Sequence, residues 1–523
     1  MDRKTFGLFE SSLVSIGQKL KEHRLPLLAG LLFGLLAHFS AFANKPINTD
    51  EVYYLFGKGA TIDSGRWGLS LMSYLFPDIS MPWIYGLITL ILITVSGCIM
   101  LRMLEFRSRI LQVLLMGVLV SFPSLTGLYS YMFTSTSYGV AFLLATLAPY
   151  WLVSNNRWKM LLSIPLMILS LGIYQPYISV TAALLLTYLI KNVLRNGSSV
   201  KSLWIQGLIY GGFVILTMGL YYGFTVVLMK LLGVQFNTYS TMSFAFDLKG
   251  LPRRIVITYL SFFSFFTEGN HRGIALPWVR IFTIAVMVVG AIFLAVWFFR
   301  NSTLGRKLLL LVCLALLPPC VNTMPLLITP DSIHTVVIYG FVVVYFFLAL
   351  LFDNPVPLLY FKRAGKVAGN LYHRLVADVF PIVLVVTVIA NIYLANAFYL
   401  KVHLSYEHTY SFYNNLSSEI VNNPEYDEDT VLAVIGSTPS DLITYGKEFR
   451  DIHGLMGSNG VLITTYAKEQ FMKYYLGMDV KFADRATIWY ITHSDEFKEM
   501  PSYPYYGCIR KFDNCLVVKL SDN

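Results

Sequence analysis

Apolar runs dominate this chain and recur with short polar breaks between them. They fall at about 25–43, 82–101, 110–122, 138–153, 161–174, 178–194, 203–232, 278–299, 308–327, 335–352 and 380–400. A helix needs roughly 20 apolar residues to cross a hydrocarbon layer of about 30 Å; several runs meet that length, and others are shorter or interrupted by Pro and Gly. The pattern predicts an α-helical polytopic membrane protein with about eleven transmembrane helices. The first run ends Ala41-Phe42-Ala43, which resembles a signal-peptidase site. At about 19 residues it exceeds the ~7–15 of a signal-peptide core, so an uncleaved anchor is expected.

Four stretches depart from the apolar pattern. Residues 1–24 carry Phe6, Phe9, Leu13, Val14, Ile16 and Leu20 on one helical face among basic residues, which predicts an amphipathic helix lying on the cytoplasmic interface. Residues 44–80 are too long for a turn and hold helix-like patches at 52–56 and 67–76. Residues 233–276 form a second long loop. From about 401 the chain turns polar, with short strand-like runs at 430–435, 486–491 and 515–520 and helix-like stretches at 407–421 and 464–475. These predict a small α/β domain over 401–523, after a membrane domain over 25–400.

Composition agrees. Hydrophobic residues make up 56% and charged residues 13%, against about 25% charged in soluble domains. A net charge of +10 could suggest nucleic acid, but Lys and Arg gather in short loops after alternate apolar runs: Arg102/Arg107/Arg109, Arg157/Lys159, Lys191/Arg195/Lys201, Arg300/Arg306/Lys307 and Lys362/Arg363/Lys366/Arg374. That is the positive-inside pattern, so the charge reports topology and implies no nucleic-acid partner. It places the N-terminus inside a cytoplasmic membrane and the 401–523 domain outside. Cys508 and Cys515, close together in that domain, predict a disulfide in an oxidising compartment. The inner loops are short and hold no Gly-rich phosphate cradle.

The candidate chemistry gathers on the predicted outer face. Asp50 and Glu51 follow the first span directly, and charges persisting beside a membrane segment often serve a function. Adjacent carboxylates diverge on a helix or strand, so one can act as a base and the other as a structural or metal-proximal partner. Asp63, Arg66 and Trp67 combine a carboxylate, a guanidinium and a flat ring, a mixture that suits a sugar and equally an interfacial ion pair with a Trp anchor. Glu268, His271 and Arg272, near Arg253 and Arg254, offer a fork for phosphate oxygens or an anchor to membrane lipid. Tyr174-Gln175-Pro176-Tyr177 interrupts the apolar pattern and either lines a cavity or makes a tight turn.

The order Asn48-Thr49-Asp50-Glu51 after a first span, then Ser64-Gly65-Arg66-Trp67, many spans and a Tyr174-Gln175-Pro176-Tyr177 turn resembles the bacterial glucosyltransferase II family of serotype-converting O-antigen glucosyltransferases. More broadly it is similar to the GT-C class of polytopic glycosyltransferases. The resemblance covers about 25–400 and leaves the C-terminal region aside. It implies an inverting transfer of a sugar, glucose above all, from an undecaprenyl-phosphate carrier to a lipid-linked or surface polysaccharide in the periplasm. It carries the catalytic carboxylate onto Asp50, leaves a divalent cation open beside Asp50 and Glu51, and attaches phosphate binding to Arg66 or Arg272. Two other classes handle similar lipids: an O-antigen polymerase or ligase, expected to rely on Arg-rich outer loops, and a lipid-linked sugar transporter, expected to show related halves with broken helices.

Overall fold

Every apolar run becomes helical in the computed structural model. The structure describes residues 23–57, 59, 61–195, 197–236, 250–268, 277–300, 303–328, 333–353, 379–427, 429–438, 463 and 466–522. The interfacial helix expected at 1–24 therefore lies almost wholly outside the described residues. Among them, nine helices are long and apolar enough to cross a membrane. Of the other runs, Arg157–Ile173 has 17 residues, about 26 Å at ~1.5 Å per residue. Met132–Leu152 opens on the polar run Thr134-Ser135-Thr136-Ser137, all buried.

Small residues set the packing of the first helix, Arg24–Asn44. Its inward face is Ala29, Gly30, Gly34, Ala37 and Ala41, while Leu28, Leu32, Leu36 and Phe39 are exposed. A Cβ on Gly30 would sit 2.6 Å from Thr94 Cγ2, so glycine there lets Pro82–Leu104 approach closely, as small residues do between membrane helices. His38, fully buried on the same face, donates from Nε2 to the Val120 carbonyl (2.8 Å) and accepts at Nδ1 from the Tyr399 hydroxyl (2.7 Å). One side chain thus ties the first helix to Arg109–Ser121 and to Phe380–Val421.

Prolines and polar residues break several runs. Phe122, before Pro123, is extended, and a second short helix Pro123–Leu128 follows. Tyr174 is likewise extended and leads into a 3-10 turn over Gln175–Tyr177. The expected loop at 233–276 is corrected: Leu251–Thr267 is a helix, opened by Pro252, with Thr258, Phe262, Phe265 and Phe266 buried. Its amphipathic face is what packs it against the bundle.

Phe380–Val421 is one helix of 42 residues, about 63 Å long, so the change in composition near 401 falls inside a continuous element. Beyond it lies a four-stranded sheet in the order β2-β1-β4-β3, made of Val431–Ile435 (β1), Lys481–Phe482 (β2), Ile509–Phe512 (β3) and Cys515–Lys519 (β4). β1 runs parallel to β2 and β4, and β3 pairs antiparallel with β4. The strand expected at 486–491 is corrected to a helix, Arg485–His493, because Asp484 caps it by accepting from the Thr487 N–H at 2.8 Å.

The expected disulfide is also corrected. Cys508 and Cys515 are both free and buried. Cys515 pairs with Phe512 at one end of the β3–β4 ladder, while the Cys508 carbonyl accepts from Lys519 N–H at the other. Four residues of strand, about 13 Å, separate the two positions, well beyond the ~7 Å limit for a bridge.

Candidate active site

The loop 45–81 is built around a short helix, Thr49–Tyr53. Asn48 caps it by accepting from Glu51 N–H at 2.8 Å and donates through Nδ2 to the Ser130 carbonyl at 2.5 Å. The adjacent acids then diverge, as the helical geometry requires. Glu51 turns inward and is fully buried. It pairs with Lys45 Nζ at 3.2 Å, accepts from the Ser80 hydroxyl, and accepts from Phe133 N–H at 3.3 Å. Burial raises its carboxyl above the ordinary range, against the pull of Lys45 and the hydrogen-bond donors.

Asp50 turns outward and is half-buried. Its Oδ1 accepts a 2.5 Å hydrogen bond from the Tyr466 hydroxyl, contributed by the C-terminal module. The module reaches it through shared packing: Ile47 and Val52 of the loop join one apolar cluster with Tyr413, Leu416, Phe471 and Met472. Asp50 and Asp63 both bear on the Tyr54 hydroxyl, whose pKa is raised first by burial and then by those charges. Among the described residues no three His, Cys, Asp or Glu side chains converge as metal ligands.

Arg66 is placed by a second turn. Gly65 takes the left-handed conformation (φ 74°), which glycine adopts without penalty. Gln175 Nε2 donates to the Ser64 carbonyl (3.1 Å) and the Tyr221 hydroxyl (2.9 Å), and the Tyr221 hydroxyl donates to the Gly65 carbonyl (2.9 Å). The Tyr174–Tyr177 turn is therefore a brace for the 61–66 segment. Arg66 Nη1 donates to the Tyr138 hydroxyl at 3.2 Å, and its guanidinium lies 5.8 Å from the centroid of the Tyr174 ring, which stacks on Tyr138 at 4.1 Å. Its Nε is buried without a partner, and no carboxylate pairs with it among the described residues. A guanidinium always carries its charge. Tyr131 lies within electrostatic reach of both Asp50 and Arg66.

The remaining predicted residues separate. Trp67 is buried: its Nε1–H donates to Thr225 Oγ1 at 3.2 Å and its ring fills the space over Gly172. It packs the turn and presents no open face. Glu268 is exposed at the end of Leu251–Thr267, and His271 and Arg272 lie outside the described residues. Glu268, with Ser261, Ser264 and Thr267, lines an open hollow of about 570 Å³. Phe263 of that hollow also lines an apolar groove of about 420 Å³ formed by Phe262, Leu294, Leu310, Phe347 and Leu351 among others.

Sequence reasoning missed Tyr466, Tyr138 and Lys45. Lys45 left a signal, since a lone Lys directly after the first span runs against the positive-inside pattern. Tyr466, 416 positions from Asp50, left none. No curated protein and no solved structure matches the chain. A family model described as glucosyl transferase GtrII matches residues 39–347, which hold Asp50, Arg66 and the Gln175 brace and stop short of the Phe380–Val421 helix and the sheet. That match spans more than half of the chain, and the protein belongs to the glucosyl transferase GtrII family.

Proposed function

We propose that this glucosyltransferase moves glucose from an undecaprenyl-phosphate carrier to a hydroxyl of O-antigen or a related surface polysaccharide, on the periplasmic face and with inversion. The observation that carries the reading is a half-buried Asp50 and an Arg66 that lacks an acidic partner among the described residues, with Tyr131 within electrostatic reach of each.

Asp50 takes the proton of the acceptor hydroxyl as that oxygen attacks the anomeric carbon. The new carbon–oxygen bond forms opposite the breaking one, and the electron pair of the breaking bond goes to the phosphate. Charge develops there, and Arg66, held by Tyr138 with its Nε–H unpartnered, is the cation assigned to stabilise it. Gln175 and Tyr221 hold the turn that aims Arg66. The apolar groove, which shares Phe263 with the hollow at Glu268, suits a polyprenyl chain, and His271 and Arg272 follow Glu268 in sequence as further contacts to the carrier's head. A donor delivered from the membrane matches inner loops too short for a nucleotide-sugar site.

The test is transfer of labelled glucose from synthetic undecaprenyl-phosphate-glucose to O-polysaccharide by the purified full chain, with Asp50→Asn beside it. Wild type transfers, and the variant loses activity by about 10²- to 10⁴-fold. Equal transfer by both removes Asp50 from the chemistry; no transfer by either overturns the donor assignment.

A further inference from the structure

Four half-exposed aromatic rings lie where the loop carrying Asp50 meets the C-terminal module. Tyr53 and Phe56 come from the loop 45–81, and Tyr466 and Tyr474 from the C-terminal module; their exposures are 45%, 61%, 44% and 47%. They meet in pairs across the two segments. Tyr53 and Tyr466 lie edge to face at 5.9 Å, and Phe56 and Tyr474 at 5.1 Å. Each pair therefore fixes ring orientation while leaving apolar surface in water, a cost that the buried cluster beneath, with Val52, Phe471 and Met472, does not relieve.

We propose that these four rings form the subsite for the sugar rings of the polysaccharide acceptor, and that Tyr466 is a positioning residue for Asp50. The proposal rests on the glycosyl-transfer reading above and names the site of its second substrate. A pyranose has an apolar C–H face bordered by hydroxyls. Flat rings bearing phenol hydroxyls match both parts, and rings fixed before binding lose little freedom when a sugar settles on them. Lipid headgroups also favour Tyr, but one ring of the rim, Tyr466, is bonded to a carboxylate, which anionic headgroups repel. A carboxylate has two oxygens. Tyr466 occupies Oδ1, which leaves Oδ2 for the acceptor hydroxyl.

The rim joins segments on either side of the family match: the loop lies within 39–347, and Tyr466 and Tyr474 lie beyond it. The acceptor subsite is thereby shared between the loop that carries the chemistry and the C-terminal module, which meet through the Tyr466–Asp50 bond, the two ring pairs and the apolar cluster.

The test uses the full chain in nanodiscs and, as probe, O-polysaccharide released from lipid A, with binding followed by calorimetry in the absence of donor. Phe56→Ala and Tyr474→Ala are expected to weaken binding by about three- to tenfold each, and Tyr474→Trp to retain it. In transfer assays the same Ala variants raise the KM for acceptor and leave the KM for undecaprenyl-phosphate-glucose unchanged. Tyr466→Phe keeps the ring and lowers kcat with little change in acceptor KM, a split that general loss of structure does not produce. Wild-type protein that fails to bind the polysaccharide, or Ala variants that bind as wild type does, overturns the subsite. Because binding is read without donor, failure of glucose transfer leaves that outcome intact and counts against the donor assignment alone.

Discussion

Lys45 and Glu51 form an ion pair at 3.2 Å in which the carboxylate is fully buried and the lysine side chain 16% exposed. The pair closes the loop 45–81 against the bundle, since Glu51 also receives Ser80 and the Phe133 N–H. Removing one partner of such a pair leaves the other buried alone, at a cost of about 3–5 kcal/mol. Glu51→Ala is therefore expected to lower the thermal unfolding temperature of the detergent-solubilised protein and to reduce transfer through misplacement of Asp50. An unchanged unfolding temperature would exclude this anchoring role.

The same carboxyl gives a pH dependence with a definite sign. Burial raises its folded-state pKa above the ordinary 4.5, so the native protein binds that proton more tightly than the unfolded chain. Stability from this group is complete below pH 4.5 and declines as pH rises from there through the folded-state pKa. Glu51→Gln removes the titrating group and should flatten that segment of the stability profile. Unfolding midpoints measured across pH 4 to 8 for the two proteins check it, and parallel profiles would show that Glu51 does not titrate in this window.

Arg66 carries a separate expectation. With Nε unpartnered and one Nη bonded to Tyr138, it can serve a phosphate and keep its anchor at the same time. Arg66→Met is expected to reduce kcat/KM for the donor by about 10²- to 10³-fold. Arg66→Lys recovers only part of the loss, because an ammonium lacks the planar fork. Steady-state kinetics with varied donor decide it. Near-normal turnover in Arg66→Met would move phosphate binding elsewhere, to Arg272 first.

Gly65 tests whether the brace matters. A Cβ there would stand 2.6 Å from the Tyr221 hydroxyl and 3.2 Å from Gln175 Nε2, on a backbone at φ 74°. The left-handed conformation alone costs an Ala roughly 1–2 kcal/mol. Gly65→Ala should lower stability and transfer together, and Tyr221→Phe alone, which removes two hydrogen bonds of the brace and leaves the backbone untouched, should lower both by less. Stability and transfer in Gly65→Ala equal to wild type would show that the brace does not matter.

The spans, the outward Asp50 and the value of the Tyr174–Tyr177 turn were legible because each leaves a local mark: an apolar run, a charge at its edge, a proline within it. The division of labour between Asp50 and Glu51 was not. Both are acids one residue apart, and only the positions of Lys45, Ser80 and Phe133 decide which turns inward. Trp67 misled for a related reason, since an aromatic beside an Arg reads alike whether it faces a ligand or packs on Gly172. Leu251–Thr267 escaped notice because it is short and opens on Pro252, Arg253 and Arg254, although its run from Ile255 to Phe266 is mostly apolar. Tyr466 could not be found from local pattern at all, because its importance comes from a contact across the folded chain.

The two cysteines of the sheet give the last expectation. Sequence proximity suggested a bridge, but a hairpin separates its strand ends as effectively as it joins its turn. Cys515 lies near the turn and Cys508 beside Lys519 at the far end. Burial pushes both thiols above their usual pKa, so thiolate is scarce and access is closed, and both should react slowly with iodoacetamide in the native protein. After denaturation without reductant, both are expected to alkylate fully, as read by peptide mass spectrometry. Alkylation that requires prior reduction would mean that the two cysteines are bridged and that the β3–β4 register differs from the one described.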